Sequence, residues 1–370
     1  MHAWLVPTCN PLLFSVCMLP VIVGIEGIVL TPQERELFTR LQPAGYILFT
    51  RNIVDYELTR ELTDELRALT VGPDVPIIAI DQEGGRVVRT ADIFVQLPSA
   101  AELAATGSSD LITQAAWYNA QCLYTLGVNT NFAPVLDIGS PHANALPSRC
   151  WGYDSQAVTT HGGVWNRAHV RAGIATCGKH FPGMGAAECD PHFDLPVLHG
   201  TRESFLQDAA IPFNALMPEL PSMMIAHLLI PEIDAELPTS LSPALVQGFL
   251  RDQLGYEGVV FTDDLCMGAI AKRYTPAESA AMALRAGCDL PLICHDVCQH
   301  LEAAAQTIAE LPGQVLEAAA ARIERFRMSL HTRPPMPFIQ WREYLADLRE
   351  FNARVPQLAA ATPGSPVQDY

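Results

Sequence analysis

Residues 258–264 read Gly-Val-Val-Phe-Thr-Asp-Asp, an almost unbroken apolar run that ends in two carboxylates. A run this continuous is typical of a strand buried on both faces, as in parallel sheets that helices cover. Seven similar runs occur elsewhere in the chain. The eight predicted strands span residues 20–24, 45–50, 76–81, 127–134, 173–180, 222–227, 258–263 and 287–294. They alternate with helical segments, which indicates a parallel α/β domain.

Three of the intervening helices have clear start signals. Thr31 and Thr275 each precede a proline and stand three residues before Glu34 and Glu278, the pattern of a capping box. Asp55 is in position to cap a third helix, whose leucines recur on one face. Eight strands separated by such helices predict a closed (β/α)8 barrel of the TIM type, with a doubly wound sheet as the alternative.

The composition fits one globular domain, since 49% of the 370 residues are apolar and no internal repeat is evident. We predict the barrel over residues 19–330, an N-terminal extension at 1–18, and a C-terminal extension at 331–370 that is partly flexible. The sequence leaves the oligomeric state open.

Charge and cysteine usage narrow the choice of partners and compartment. The net charge of −17 and the lack of any Lys/Arg run disfavour binding to nucleic acid. The ten cysteines show no paired spacing, which favours reduced thiols and a cytoplasmic location. Cys294, His295 and Cys298 lie close together, but no second Cys/His pair completes a tetrahedral set, so no metal is predicted.

The first 31 residues are largely apolar and contain no Lys or Arg. Such a stretch could be a signal or a membrane anchor. However, Pro7, Pro11 and Pro20 interrupt any helix, and a basic segment is missing at the start. We therefore predict no membrane insertion.

Polar residues end four of the predicted strands. In a barrel of this type the reactive groups lie at the carboxyl ends of the strands, so these residues are the first candidates for a site. The candidates are Asp81, Lys179 with His180, His227, and Asp263 with Asp264.

The loop over residues 179–192 is the densest feature, reading Lys-His-Phe-Pro-Gly-Met-Gly-Ala-Ala-Glu-Cys-Asp-Pro-His. Asp190 stands two residues before His192, so in an extended segment both side chains point to the same side. Asp190 could then orient the imidazole and stabilise its protonated form. The pair has the form of an acid/base dyad, although a bare Asp-x-His is more often only a turn.

Four segments together resemble glycoside hydrolase family 3, and they occur in the order found in that family. The loop resembles the β-N-acetylglucosaminidase branch, whose single-domain bacterial members act in cell-wall recycling. The resemblance covers roughly residues 19–330, and its segments are 81–89, 131–137, 179–192 and 261–267.

The resemblance implies retaining hydrolysis of terminal, non-reducing β-linked N-acetylglucosamine through a glycosyl-enzyme intermediate, without a cofactor. The substrate would be a glycan or muropeptide derived from peptidoglycan. Asp263 matches the nucleophile, and His192 matches the acid/base assisted by Asp190. The residues matching those that hold the terminal sugar are Asp81, Arg89, Arg149, Lys179 and His180. Asp264 matches no catalytic role.

Departures from the family pattern leave the catalytic set intact. Pro191 stands where Ser or Thr is common, so the dyad loses a backbone donor and becomes stiffer. Cys150 and Trp151 interrupt a usual Arg-Ser-Phe-Gly run, and Met184 replaces a common His or Leu. These changes leave the preference for the leaving group open.

Several alternatives remain at this stage. One is a family 3 β-glycosidase for glucose or xylose, although those relatives usually place the acid/base on an additional domain. Another is a phosphorylase, because a dyad without a negatively charged acid/base would admit phosphate. A third alternative is a metal-dependent hydrolase, which would lose activity on chelation. A fourth is a sugar-binding barrel without catalytic activity.

Overall fold

The computed structural model describes residues 18–71, 75–140, 146, 148–187, 189–332, 334 and 336–356. Most of the predicted N-terminal extension and the tail after residue 356 lie outside these residues. Where the chain is described, it forms eight parallel strands that close into a barrel in chain order. The strands are β1 Leu19–Gly24, β2 Pro43–Leu48, β3 Ile77–Ile80, β4 Thr130–Asn131, β5 Ala175–Phe181, β6 Ser222–Ile225, β7 Val259–Asp264 and β8 Leu290–Ile293.

The predicted closed barrel is confirmed, and each predicted strand has its counterpart. Every residue of β2 and β5 is buried, as expected for strands covered by helices outside and by packed side chains inside. Inside the barrel, the rings of Phe132 and Phe261 meet edge to face at 5.0 Å. Burying a side chain of this size contributes about 1.5–3 kcal/mol.

The fourth strand is shorter than predicted. Its regular pairing covers only Thr130 and Asn131, whereas residues 127–134 were expected to be extended. Pro134 has no N–H to continue the ladder. Irregular pairing nevertheless persists, because Phe132 N donates to Ile80 O at 2.8 Å and Cys177 N donates to Ala133 O at 3.0 Å.

Helices follow the strands around the outside of the barrel. Within the described residues they are α1 Pro32–Leu41, α2 Tyr56–Leu69, α3 Ala100–Ala105, α4 Ser109–Thr125, α5 Ser155–Ala172, α6 Arg202–Gln207, α7 Ile211–Leu216, α8 Gly268–Ala271, α9 Pro276–Ala286, α10 Val297–Ala309, α11 Gly313–Ser329 and α12 Phe338–Asn352. Shorter or wider turns are the 3₁₀ segments Thr50–Asn52, Met217–Glu219 and Thr239–Leu241, and the π-helix Ala244–Gln253. No described helix is long and apolar enough to span a bilayer.

The predicted helix starts are confirmed. Thr31 and Glu34 form a capping box at α1, and Thr275 and Glu278 form another at α9. The side chain of Asp55 accepts a hydrogen bond from the first turn of α2. A cap of this kind contributes about 1 kcal/mol, so these helices begin where their caps place them.

Helix α12 packs an aromatic face against the barrel. The ring of Trp341 stacks on Tyr56 at 5.5 Å, and the ring of Tyr344 stacks on Phe94 at 5.8 Å. Trp341 and Tyr344 are buried. The amphipathic segment within the predicted C-terminal extension is therefore part of the packed structure as far as residue 356.

Candidate active site

One pocket lies at the carboxyl ends of the strands, with a cavity of about 640 Å³ counted to its open mouth. All eight predicted site residues line it. They are Asp81, Arg89, Arg149, Lys179, His180, Asp190, His192 and Asp263. The barrel brings them together because parallel strands place all their carboxyl ends on the same rim.

Asp263 stands near the end of β7. Its Oδ1 accepts a hydrogen bond from the backbone N–H of Asp264 at 2.9 Å. Burial alone would raise the pKa of Asp263, but the neighbouring His180, His227 and His192 bring it below its ordinary value. The carboxyl group is therefore ionised near neutral pH, as a nucleophile requires.

Asp190 and His192 form the dyad that their spacing predicts. Asp190 Oδ1 lies 2.6 Å from His192 Nδ1 and also accepts the backbone N–H of His192 at 3.0 Å. Their side chains are 11% and 15% exposed, so the pair borders solvent at the pocket mouth. We refer to residues 189–194 as the dyad loop.

A group of charged side chains, most of them buried, forms a second wall of the pocket. Lys179 Nζ lies 2.6 Å from Asp81 Oδ1 and 2.7 Å from Glu83 Oε1. Arg149 binds Glu83 with two hydrogen bonds of 2.9 Å each. We refer to Asp81, Glu83, Arg149 and Lys179 as the ion cluster. Arg89 lies beside it, with Nη2 at 3.7 Å from Asp81 Oδ2.

The ion cluster favours the charged forms of Glu83 and Lys179. Burial would raise the pKa of Glu83, but Arg149 and Lys179 lower it far below its ordinary value. Burial would likewise lower the pKa of Lys179, yet Asp81 and Glu83 raise it. Each charge offsets the desolvation of its partner, so charged donors and acceptors are fixed at the pocket surface.

Two carboxylates were not singled out from the sequence, although both lie within the quoted motifs. One is Glu83, which joins Arg149 to Lys179. The other is Asp137, whose Oδ2 lies 2.7 Å from His180 Nδ1 and whose Oδ1 accepts the N–H of Met184 at 2.7 Å. Asp137 thereby orients His180 and holds the start of the 179–192 loop.

His227 was predicted to end its strand, but β6 ends at Ile225 and His227 is not among the residues that line the pocket. Its Nε2 lies 3.0 Å from the carbonyl oxygen of Asp264, and its Nδ1 lies 2.8 Å from Ser240 Oγ. Burial lowers its pKa, although Asp263 opposes that effect. Through these two contacts the buried His227 supports the end of β7.

Asp264 joins the ends of β7 and β8. Its Oδ1 accepts the backbone N–H groups of Cys266 at 3.0 Å and Cys294 at 3.3 Å. Burial raises its pKa to about 6. These contacts give Asp264 a structural position beside Asp263.

Within the described part of the chain, no three His, Cys, Asp or Glu side chains are grouped so that they could hold a metal ion.

Residues 22–326 match the family described as glycosyl hydrolase family 3, N-terminal domain. The chain is 38% identical to a β-hexosaminidase of Alkalilimnicola ehrlichii over 300 residues, which are 79% of this chain and 84% of that protein. It is 36% identical to a β-hexosaminidase of Vibrio cholerae over 313 residues, which are 84% and 92% of the two chains.

Solved structures show the same architecture. NagZ from Neisseria gonorrhoeae, in complex with N-trifluoroacetyl-D-glucosamine, superposes with a TM-score of 0.78 at 28% identity, over 90% of this chain and 98% of that one. A family 3 β-N-acetylglucosaminidase from a Paenibacillus strain gives a TM-score of 0.81 at 30% identity, over 90% and 67%. The chain belongs to glycoside hydrolase family 3.

Proposed function

We propose that this chain is a retaining β-N-acetylhexosaminidase that removes terminal β-linked N-acetylglucosamine, with Asp263 as nucleophile and His192 as acid/base. The observation that supports this most directly is that an ionised Asp263 and the Asp190–His192 dyad line one pocket. A retaining glycosidase requires a carboxylate beneath the anomeric carbon and a proton donor beside the leaving oxygen.

In the first step, a carboxylate oxygen of Asp263 attacks the anomeric carbon while the glycosidic C–O bond breaks. The bonding electrons leave with the glycosidic oxygen, which takes a proton from Nε2 of the charged His192 ring. Asp190 holds Nδ1, so Nε2 is the atom that exchanges the proton. The products are a glycosyl ester on Asp263 and a neutral His192.

In the second step, neutral His192 removes a proton from water. The water oxygen attacks the anomeric carbon, and the Asp263 carboxylate leaves. Two inversions at one carbon return the β configuration, so the released sugar is the β anomer.

The ion cluster, Arg89 and His180 hold the sugar ring in this scheme. Charged groups make strong, directional hydrogen bonds to hydroxyl groups, and these side chains are already fixed by one another. An arrangement fixed before binding loses little entropy when the sugar enters.

We further propose that the substrate is a peptidoglycan-derived muropeptide in the cytoplasm. The eight cysteines in the described residues are all free thiols, which supports a reducing compartment. Because the acid/base of the dyad is an imidazole and carries no negative charge, phosphate could also approach as the acceptor. The test therefore includes inorganic phosphate.

The decisive experiment is release of p-nitrophenol from the β-N-acetylglucosaminide and the β-glucoside, with and without chelator. We expect hydrolysis of the acetamido substrate alone, insensitive to chelator and lost in Asp263→Asn. Asp252→Asn, at an exposed carboxylate, should retain full activity. Preference for the glucoside would overturn the substrate, and equal activity in Asp263→Asn would overturn the nucleophile.

Two additions test the remaining parts. If the enzyme forms sugar 1-phosphate when inorganic phosphate is present, its reaction is phosphorolysis and the proposed hydrolysis is wrong. Turnover of a purified muropeptide, followed by mass spectrometry, tests the natural substrate, and complete inertness towards it would restrict the enzyme to other acetamido sugars.

A further inference from the structure

We propose that Gly268 is a positioning residue for catalysis, because it allows the start of α8 to bind the dyad loop and hold His192 over the pocket. The inference rests on the proposed acid/base role of His192. In this proposal Gly268, which lies outside the sugar-binding wall, determines the position of the proton donor His192.

Two backbone hydrogen bonds join α8 to the dyad loop. The N–H of Gly268 donates to the carbonyl oxygen of His192 at 3.1 Å, and the N–H of Ala269 donates to the carbonyl oxygen of Pro191 at 3.0 Å. These N–H groups lie in the first turn of a helix, where no preceding carbonyl of the helix is available to accept them. The backbone of His192 itself is thus held by α8.

Glycine is required at position 268 because of space. A Cβ atom there would lie 2.7 Å from the carbonyl oxygen of His192 and 2.7 Å from that of Phe193. Both are backbone atoms, which cannot move aside by a side-chain rotation. Gly268 is not among the glycines with positive φ, so alanine suits its own backbone conformation. The clash is therefore confined to the contact with the dyad loop.

The same connection carries the nucleophile. Gly268 follows Asp263 by five positions, and between them Met267 N donates to the carbonyl oxygen of Asp264 at 3.0 Å. Met267 also lines the pocket. The position of His192 is consequently set relative to Asp263 through one short stretch of chain. Small displacements of a catalytic group have large kinetic effects.

The variant Gly268→Ala tests this directly with two leaving groups. A 2,4-dinitrophenolate leaves without protonation, whereas the sugar of an N-acetylglucosamine disaccharide must be protonated by the acid. We expect kcat/KM for the disaccharide to fall on the order of 10²-fold, the usual contribution of a general acid. For the dinitrophenyl glycoside we expect a change of less than about threefold, because glycosylation there does not use the acid.

His192→Ala provides the reference, since it should show the same split between the two substrates and at least as large a loss. If His192→Ala shows the split and Gly268→Ala does not, the role of Gly268 is wrong while the proposed function stands. If His192→Ala shows no split, the acid assignment fails and the inference fails with it.

A second variant and a matched control guard against a general folding defect. Ala269→Pro removes the donor to Pro191 without adding an atom at position 268, and it should reproduce the split. Gly313→Ala adds a Cβ whose nearest neighbour is Glu317 Oε1 at 3.8 Å, and it should behave as wild type. An equal loss on both substrates in Gly268→Ala, with a lowered Tm, would overturn the positioning role.

Discussion

The two walls of the pocket are built in different ways. The ion cluster lies on the ends of β3 and β5 and in the loops beside them, and the side chains of Glu83, Arg149 and Lys179 are at most 7% exposed. The dyad loop borders solvent and is joined to α8 by two backbone hydrogen bonds. One wall is thus held mainly by ion pairs between side chains, and the other by backbone hydrogen bonds to α8 and by the Asp190–His192 contact.

The difference fits the two tasks that we propose for these walls. Holding a sugar ring benefits from groups that do not move between the free and the bound state. Proton transfer requires a group that meets first the leaving oxygen and then water, and a loop can make the small adjustment between them. Stability should therefore depend on the ion cluster and rate on the dyad loop, and the following variants test that division.

The largest effect is expected for Glu83→Ala. The substitution leaves Arg149 and Lys179 buried without their shared partner, which costs about 3–5 kcal/mol of unfolding free energy. Urea denaturation measures the loss. Glu219→Ala is the control, because the Arg167–Glu219 pair is about 40% exposed on each side and should contribute less than about 1 kcal/mol. If both variants lose a similar amount of unfolding free energy, burial does not make the ion cluster more important for stability than an exposed ion pair.

The next effect concerns Asp264→Asn and depends on pH. The pKa of Asp264 is raised from 3.8 to about 6 in the folded state, so its contribution to stability is present at low pH and lost as pH rises through that range. Between about pH 4 and about pH 7 the variant should gain at most about 3 kcal/mol relative to wild type. Denaturation at both pH values measures this, and a difference that does not vary with pH would contradict it.

A comparable effect, but on rate, is expected for Asp190→Asn. The amide no longer stabilises the charged His192 ring, so kcat/KM for a disaccharide should fall on the order of 10²-fold, or about 2.7 kcal/mol. The free energy of unfolding should fall less than in Glu83→Ala, because the amide oxygen can still accept the backbone N–H of His192. Steady-state kinetics and urea denaturation of the same variant test this prediction. A large loss of unfolding free energy with unchanged kcat/KM would reverse the roles of the two walls.

The smallest effect is expected for Lys272→Ala. Lys272 Nζ lies 3.5 Å from Asp194 Oδ2 at the end of the dyad loop, and both side chains are more than half exposed. An exposed pair of this kind contributes about 0–1 kcal/mol, so kcat/KM should change by less than about fivefold. A tenfold loss would show that side-chain charge, and not only the backbone contact at Gly268, holds the loop.

Residues whose place follows from local sequence could be predicted. Asp263 ends an apolar strand, and the rule that strands deliver their carboxyl ends to one rim was enough to place it in the pocket. Asp190 and His192 are two positions apart, so their contact is also local. The closed barrel followed from the number and continuity of the strands.

Residues whose role depends on distant partners could not be predicted. Glu83 meets Arg149 across 66 positions, and Asp137 meets His180 across 43. Nothing next to either carboxylate indicates which base it will meet. His227 shows the opposite error, since it follows a strand closely and yet its ring contacts Ser240 and the carbonyl oxygen of Asp264 and does not line the pocket.

The short connection from Asp263 to Gly268 also restricts how the sequence can change during evolution. An insertion or deletion of one residue between them would shift the start of α8 and turn its first N–H groups away from the dyad loop. Loops elsewhere on the barrel accept length changes far more readily. We therefore expect descendants that keep the activity to vary the residues of this connection, but to preserve its length.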